Sequence, residues 1–257
     1  MSDLAAIASH LDTVLGTETI PDYPGAFNGV QLANDGPITR IAASVDVSRR
    51  VIDGAIRSGA NLLLVHHGMM WGGAQRITGA MYERLRLLIT HNVAVYSSHL
   101  PLDAHPTFGN NVLLARALGL EPAGGFARYR TIDVGVRGEC DCATSSLFSR
   151  ADAFARVHGG VARATEIAPG RRTRRWGICT GAGASAETLL EAEALDLDTL
   201  VVGEGPHHTA VAADDAGLVV IYAGHYATET LGVNALAEHL TSTFDIPSTF
   251  IAAPTGL

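Results

Sequence analysis

Cysteine is scarce in this chain of 257 residues, which has only Cys140, Cys142 and Cys179. So small and odd a number excludes a scaffold held together by disulfides. Cys140 and Cys142 are one residue apart, a spacing that could bind a metal ion. We favour the alternative that they are two small buried thiols on one face of a strand, and we assign them no function.

Charge is also scarce, and its sign argues against two classes of partner. Charged residues make up 17% of the chain and hydrophobic residues 47%, which indicates a compact globule. The formal net charge of −8 makes nucleic acid and anionic membranes unlikely partners, because both attract dense Lys and Arg. No apolar run reaches membrane-spanning length, and the first residues lack the basic segment of a signal peptide. We therefore expect a cytoplasmic protein without membrane association.

Apolar strands alternating with amphipathic helices are what the sequence has in quantity. A helix is predicted over residues 3–15, followed by a loop containing the FNGVQL segment. Strands and helices then alternate from ITRIAASVD to VAVYSS, and again from RRWGICTG to STFIA near the C terminus. This pattern predicts an α/β fold whose mostly parallel or mixed sheets are covered on both faces, as three α/β/α layers.

The middle of the chain separates these two halves. Residues 121–171 hold Gly-rich turns, two predicted strands and a predicted helix near 146–157. We predict an N-terminal domain over residues 1–122 and a second α/β domain over residues 123–257.

Three of the predicted strands end in histidine. The residues are His66 and His67 after LLLV, His99 and then Asp103 after VAVYSS, and His225 and then Glu229 after LVVIYAG. Ligands collect at the carboxyl ends of strands in open parallel sheets, so these imidazoles could converge on one crevice. Two adjacent histidines at the turn marked by Gly68 would lie a few ångströms apart, which suits two metal ions better than one. Neutral imidazole with carboxylate favours Zn, Fe or Mn over Ca.

Less specific interpretations stay open for each part of this set. His66 and His67 could be a hydrogen-bonded pair at a loop. His225 and Glu229, four residues apart on one helical face, could be a surface ion pair. The combination is stronger than its parts, because three strand ends carry histidine and two of them have an acidic partner.

Two other motifs suggest competing functions. The CTGAGASA segment superficially matches a dinucleotide-binding turn, but no ribose-binding acid follows, so a tight strand-to-helix turn is favoured. The RRTRR run over residues 171–175 is interpreted as a solvated edge, with a phosphate-recognition patch as the alternative.

Six segments resemble, in order and spacing, the Nif-three-like family, also called GTP cyclohydrolase I type 2 homologues. They are NGVQL, VHHGMMWGG, SSHLPLDAHPTFGNN, CTGAGAS, VVGE and AGHYATETLGVNALAEHL. The resemblance spans nearly the whole chain, and its histidine motifs are highly specific.

The resemblance implies two interlinked α/β domains, assembly as a toroidal homohexamer, and two divalent metal ions in each subunit. The metal ligands that it implies are His66, His67, Asp103, His225 and Glu229. It also implies that His99 is a nearby active-site histidine, a candidate proton donor or acceptor.

Several neighbouring residues receive weaker predictions. His105 is expected to orient a ligand through a hydrogen bond. Asn110 and Asn111 are expected to cap a helix. Glu204 matches the family's GE motif and is expected near the metals or the substrate. His207 and His208 depart from the family pattern, and we interpret them as solvent-facing or capping residues at a helix start.

Two functions follow as hypotheses. The first is a dinuclear metal-dependent hydrolase acting on a small, nucleotide-like substrate, with GTP ring opening as the version that the family label suggests. The second is a non-catalytic metal-binding or regulatory hexameric scaffold.

Overall fold

The structure is a computed structural model that describes residues 2–257. It divides into two compact units, each built from two stretches of chain. The first unit takes in the described residues up to Leu102 together with Gly232–Ala253, and the second takes in Asp103–Leu231 together with Pro254–Leu257. Since the chain enters the second unit and returns to the first, the two are interlinked as predicted.

The described residues form ten helices and eleven strands. In chain order they are α1 (Leu4–Leu15), β1 (Gly29–Leu32), β2 (Ile41–Asp46), α2 (Arg49–Ser58), β3 (Leu62–His67), α3 (Gly79–Thr90), β4 (Ala94–Ser97), α4 (Leu100–Asp103), α5 (Asn110–Ala117), β5 (Gly124–Tyr129), β6 (Ile132–Ala143), α6 (Thr144–Val157), β7 (Arg163–Ala164), β8 (Arg172–Cys179), α7 (Ala186–Ala194), β9 (Thr199–Val202), α8 (His207–Asp215), β10 (Val219–Tyr222), α9 (His225–Thr228), α10 (Thr230–Phe244) and β11 (Ser248–Phe250). None of these helices is long and apolar enough to cross a membrane.

The first unit contains a five-stranded sheet in the order β1-β4-β3-β2-β11. Neighbours from β4 to β11 run parallel, and β1 is an antiparallel edge strand. The FNGVQL segment is therefore partly a strand, and its prediction as a loop is wrong: the short, Gly-led β1 lacks the apolar run of its neighbours. Likewise, the STFIA strand pairs with β2 of this sheet and does not extend the second half.

Helices cover both faces of this sheet, because successive strand residues point to opposite sides. Leu63 and Val65 of β3 pack with buried residues of α2 and α3 on one face. Tyr96 of β4 lies on the other face, where its hydroxyl donates to Asp12 of α1 at 2.7 Å. Leu64 is the register partner of Tyr96 and is 1% exposed. The predicted three-layer arrangement is confirmed in this unit.

The second unit contains a six-stranded mixed sheet in the order β5-β6-β8-β9-β10-β7. Only β8, β9 and β10 run parallel, while β5, β6 and β7 are antiparallel additions. The strand β5 begins in the PAGGF segment, which the sequence predicted as a turn because of its two glycines. Phe126 and Ala127 of this strand are buried. Helices α5 and α6 pack on one face around Trp176, and α7 packs on the other around Leu200.

The predicted domain boundary between residues 122 and 123 stays a prediction. The compact units separate earlier, after Leu102, because Leu114, Leu118 and Leu120 in and after α5 belong to the core around Trp176 of the second unit.

Candidate metal centre

His66 is the most deeply buried of the candidate ligands. It lies near the carboxyl end of β3, is 0% exposed, and its Nδ1 contacts the backbone oxygen of Ser98 at 2.9 Å. A carbonyl oxygen only accepts hydrogen bonds, so Nδ1 carries the proton and the neutral ring has its lone pair on Nε2. That nitrogen is the one that can bind a metal ion.

His67 is held by a carboxylate from the neighbouring strand. Its Nδ1 lies 2.9 Å from Asp46 Oδ1, and the two residues are direct register partners in the parallel pair of β2 and β3. Asp46 was not predicted as part of the site, although a signal existed: the ITRIAASVD strand ends in an acid one strand away from the histidines.

His99 follows β4 and is held by Asp22 from a distant loop. Its Nδ1 lies 2.9 Å from Asp22 Oδ1, and its backbone N–H donates to Asn28 Oδ1 at 2.7 Å. Burial alone would raise the pKa of Asp22, but hydrogen bonds and the charge interaction with His99 outweigh burial and lower it. Asp22 was not predicted either, because 77 residues separate it from His99 and nothing in its own loop marks it.

These three imidazoles form one cluster within the first unit. Each of His66, His67 and His99 offers a ring nitrogen, and the three nitrogens lie within 4.8 Å of one another, a group that could hold a metal ion. Ring centroids are 4.7 Å apart for His66 and His67 and 5.0 Å apart for His66 and His99. Trp71 stands edge-on to His99 at 5.1 Å. The geometry therefore allows His99 to serve as a ligand as well as a proton carrier.

Gly68 follows the two histidines for a reason other than the predicted turn. A Cβ at this position would overlap the side-chain amide of Gln31, which packs directly against the backbone. Gln31 Oε1 accepts from the N–H groups of Met69 at 2.6 Å and Met70 at 3.2 Å. The glycine thus lets β1 fix the chain just after the histidine pair.

In the second unit, His225 lies between two carboxylates. Its Nδ1 is 2.8 Å from Glu204 Oε1, and its Nε2 is 3.2 Å from Glu229 Oε2. Burial on its own would lower the pKa of His225, but hydrogen bonds and charge from Glu229 and Glu204 more than offset burial and raise it to about 9. The surface ion pair considered from the sequence is excluded, because Glu229 is 3% exposed. Glu204, which was expected near the metals or the substrate, contacts Nδ1 of His225.

The turn after β8 is shaped around Glu229. Gly181 has φ +61, and a Cβ there would overlap Glu229 Oε1. Its N–H donates to Thr228 Oγ1 at 3.1 Å. The CTGAGASA segment is therefore the tight strand-to-helix turn that we favoured, and its glycine is required by the close approach of the carboxylate.

Asp103 also lies in the second unit, at the end of α4. It is 6% exposed, and its Oδ1 accepts from Asn110 Nδ2 at 2.8 Å. Burial raises the pKa of Cys179 to about 12, and the charges of Asp103 and then Glu229 add to that rise. Both carboxylates therefore act electrostatically on the same buried thiol.

The predicted roles of the residues after Asp103 need correction. Asn110 and Asn111 do not cap α5, whose N-cap is Gly109 without a side-chain hydrogen bond. Asn110 instead orients Asp103, and Asn111 accepts from the N–H of Thr180 at 2.8 Å. Both amides are fully buried, where a hydrogen-bond partner in the core stabilises more than a solvated cap.

His105 was expected to orient a metal ligand. Its Nδ1 accepts from the N–H groups of Thr107 at 3.1 Å and Phe108 at 3.0 Å, which fixes the turn that leads to Asn110. The orienting role of His105 stays a prediction.

The remaining histidine and arginine motifs lie at the surface. His207 and His208 begin α8 and are exposed, as predicted. In the RRTRR run, Arg172 pairs with Asp141 at 2.5 Å and Arg175 pairs with Asp196 at 3.3 Å. These ion pairs favour the interpretation as a solvated edge.

The donor set fits divalent metal ions. All four candidate histidines are anchored through Nδ1 to an oxygen acceptor, which is Ser98 O, Asp46, Asp22 or Glu204. Metal-ligating histidines typically donate one ring N–H in this way, so that the other nitrogen is fixed toward the ion. The buried histidine and glutamate groups could therefore hold a metal ion.

Comparison with known proteins places the chain among proteins of matching length and fold. A curated relative from Deinococcus radiodurans, named GTP cyclohydrolase 1 type 2 homolog, is 41% identical over 91% of this chain and 88% of its own length. One of the same name from Pyrococcus abyssi is 36% identical over 98% of each chain.

Solved structures agree with this placement. A structure described as protein ybgI, of unknown function, matches with a TM-score of 0.89 and 31% identity over 99% of this chain and all of its own. The crystal structure of TTHA1606 from Thermus thermophilus matches with a TM-score of 0.85 and 32% identity over the same shares.

The sequence model of the family described as Duf34/NIF3 (NGG1p interacting factor 3) matches residues 3–255. The resemblance seen in the histidine motifs is thereby confirmed, and so is the mixed α/β fold with two sheets. The chain belongs to the Duf34/NIF3 family.

Proposed function

We propose that this chain is a metal-dependent hydrolase that uses two divalent cations to act on a small, nucleotide-like substrate. The proposed ligands are His66, His67, Asp103, His225 and Glu229, with His99 as the catalytic proton carrier. The observation that carries the proposal is the shared anchoring of the histidines, each held through Nδ1 by an oxygen acceptor.

The ligand chemistry narrows the choice of cation. Imidazole nitrogens with carboxylate oxygens suit Zn, Fe or Mn. Bound cations of this kind would polarise a substrate oxygen and lower the pKa of a water. The protein's part is to fix the orientation of each imidazole ring, which the contacts at Nδ1 do.

Asp22 gives His99 the properties of a general acid or base. The carboxylate fixes the ring through Nδ1, which leaves Nε2 as the nitrogen that would exchange a proton with the substrate. Asp22 is itself fixed by Asn28 Nδ2 at 2.8 Å and by the N–H of Leu100 at 3.0 Å. His99 can therefore take and return a proton at Nε2 without losing its orientation.

The proposal of a nucleotide-like substrate is supported by the names of the relatives alone. The curated relatives carry the name GTP cyclohydrolase 1 type 2 homolog, which refers those proteins to a purine nucleotide. We extend this to the present chain as a proposal, and we further propose the homohexamer that the family resemblance implies. Sedimentation of the purified protein tests the assembly.

Activity is tested with protein purified without chelator or affinity metal and assayed on nucleotides and phosphoesters. We expect turnover that is lost in His66→Ala and Glu229→Ala and kept in His208→Ala, whose side chain is exposed at the start of α8. If the wild type holds its metals and consumes nothing on the panel, the hydrolase proposal fails and the non-catalytic scaffold replaces it.

The role of His99 has a separate test. His99→Gln and Asp22→Asn should lower kcat strongly and change the pH profile of kcat, with the metal content unchanged. Loss of metal in His99→Gln would instead identify His99 as a ligand.

A further inference from the structure

Cys140 and Cys142 form a close thiol pair on β6 of the second unit. Their sulfur atoms are 3.8 Å apart. They are brought together by an irregularity in the pairing of β6 with β8, where the register shifts between Glu139 and Cys142. Glu139 pairs with Arg175 and Cys142 with Thr173, so two residues of β6 face one residue of β8, as in a β-bulge.

The two thiols have different partners. Cys140 donates to the backbone oxygen of Thr173 at 3.4 Å, and burial together with the neighbouring thiol raises its pKa to about 11. Cys142 instead accepts from Arg150 Nη2 at 3.6 Å. The donor is a guanidinium, so a positive charge lies directly against this sulfur.

Arg150 is held in place independently of the thiols. Its Nη1 donates to the backbone oxygen of Leu118, at the end of α5. Arg172 lies within electrostatic reach of both sulfurs, although its main partner is Asp141. The positive charges of Arg150 and Arg172 therefore favour a thiol-reactive reagent that carries negative charge.

The pair differs from the third cysteine in its exposure to solvent. Cys140 and Cys142 are half-buried, whereas Cys179 is buried and its pKa is raised to about 12 by burial and then by Asp103 and Glu229. The chain thus contains its own unreactive control.

We propose that Cys140 and Cys142 are a redox-active dithiol that low-molecular-weight disulfides, such as oxidised glutathione, convert to an intrachain disulfide. Cys142 thiolate attacks one sulfur of the reagent, which forms a mixed disulfide and releases the first thiolate. Cys140 loses its proton to solvent and attacks the Cys142 sulfur, which closes the protein disulfide and releases the second thiolate. Two electrons pass from the dithiol to the reagent, which ends as two thiols.

The cross-link would be easily reversed. The sulfur atoms are 3.8 Å apart, so closing a bond of about 2.05 Å requires the bulged strand to distort. Strained disulfides have more oxidising potentials and are the ones that are reduced readily. The pair therefore suits a reversible modification better than a structural link.

The test is to expose the native, full-length protein to oxidised glutathione and to follow intact mass and peptide maps. The wild type should lose two hydrogens in a link between Cys140 and Cys142, and a dithiol reductant should restore it. Cys140→Ser should stop at a glutathione adduct on Cys142, because no second thiol is left to displace the glutathione. Cys179→Ser should react as the wild type does.

The contribution of Arg150 is tested by Arg150→Met, which should slow adduct formation at Cys142 at least several-fold in the Cys140→Ser background. Circular dichroism and the unreactivity of Cys179 would show that the variant is folded. The proposal is overturned if the native thiols react only after unfolding, or if Cys142→Ser forms an adduct at Cys140 as fast as Cys140→Ser does at Cys142.

Discussion

The two units place histidine in the same way and surround it differently. In each unit a histidine follows a parallel strand and is anchored through Nδ1. In the first unit, His66, His67 and His99 gather into a cluster of imidazoles. In the second, His225 lies between Glu204 and Glu229. The first arrangement is a cluster of imidazoles, whereas the second is a histidine ion-paired with carboxylates of its own unit.

This difference teaches what each half contributes to metal binding. Neighbouring imidazoles do not stabilise one another's protonated form, since the positive charge on one ring disfavours protonation of the next. A histidine flanked by two carboxylates holds its proton tightly, and a metal must displace that proton. We therefore expect the first unit to determine affinity and the second to determine its dependence on pH.

The largest expected effect is on metal content. His66→Ala should remove most of the bound metal, because the ring is buried and no exposed side chain can replace it. Elemental analysis measures the loss, and His207→Ala serves as the matched control at an exposed histidine. Normal metal content in His66→Ala would show that the imidazole cluster does not hold the metal.

The next effect is on the stability of the metal-free protein. Glu229→Gln should lower the free energy of unfolding by roughly 1–3 kcal/mol, because it breaks a largely buried charged pair. His67→Ala should cost less, since Asp46 is half-exposed and can turn to water. Urea unfolding of both chelated proteins compares them. Equal losses would show that the two units do not differ as described.

The pH dependence of the metal-free protein follows from His225. Its folded pKa of about 9 lies above the unfolded value of 6.5, so its contribution to stability is fully present below pH 6.5 and is lost as the pH rises through 9. The gap in stability between the wild type and Glu229→Gln should therefore shrink between pH 6.5 and pH 9. A gap that widens over that range would contradict the protonated His225.

Metal uptake has the opposite dependence on the same group. Since an ion must displace the proton on His225, binding at neutral pH should release a proton, and affinity should increase up to about pH 9. Calorimetry in buffers of different ionisation enthalpy counts the protons. A smaller proton release in Glu229→Gln, in which only Glu204 remains beside His225, would support the assignment.

The smallest expected effect is at His105. His105→Ala removes an acceptor from two backbone N–H groups at a half-buried turn, which should cost about 0.5–1.5 kcal/mol. Metal content should stay the same, because Asn110 Nδ2 still donates to Asp103 Oδ1. A drop in metal content would support the orienting role that the sequence predicted for His105.

The sequence predicted the strands that carry histidine because their apolar runs are long and uninterrupted. It placed His66, His67, His99 and His225 at strand ends, where the structure has them. It missed the strands β1 and β5, whose glycines resemble turns. It predicted the strand β11 but not its sheet, because the partner strand β2 lies near the other end of the chain. Sheet order depends on such distant pairings, which periodicity does not encode.

The partners of the histidines were harder to predict than the histidines. Asp46 could have been found, since it ends the strand beside β3. Asp22 could not, because only the folded loop brings it to His99. Asn110 was predicted to cap a helix from its position at the helix start. In the structure it is buried and donates to Asp103 instead. Whether Asp103, His225 and Glu229 share metal ions with His66 and His67 stays a prediction.

The most direct test of the account is the metal-to-protein ratio of the wild type, His66→Ala and His225→Ala, each purified without chelator or affinity metal. We predict two ions per wild-type chain and a loss in both variants, because the proposed ligand set includes both His66 and His225. Full metal content in His225→Ala would contradict the proposed centre and leave the imidazole cluster of the first unit as the entire site.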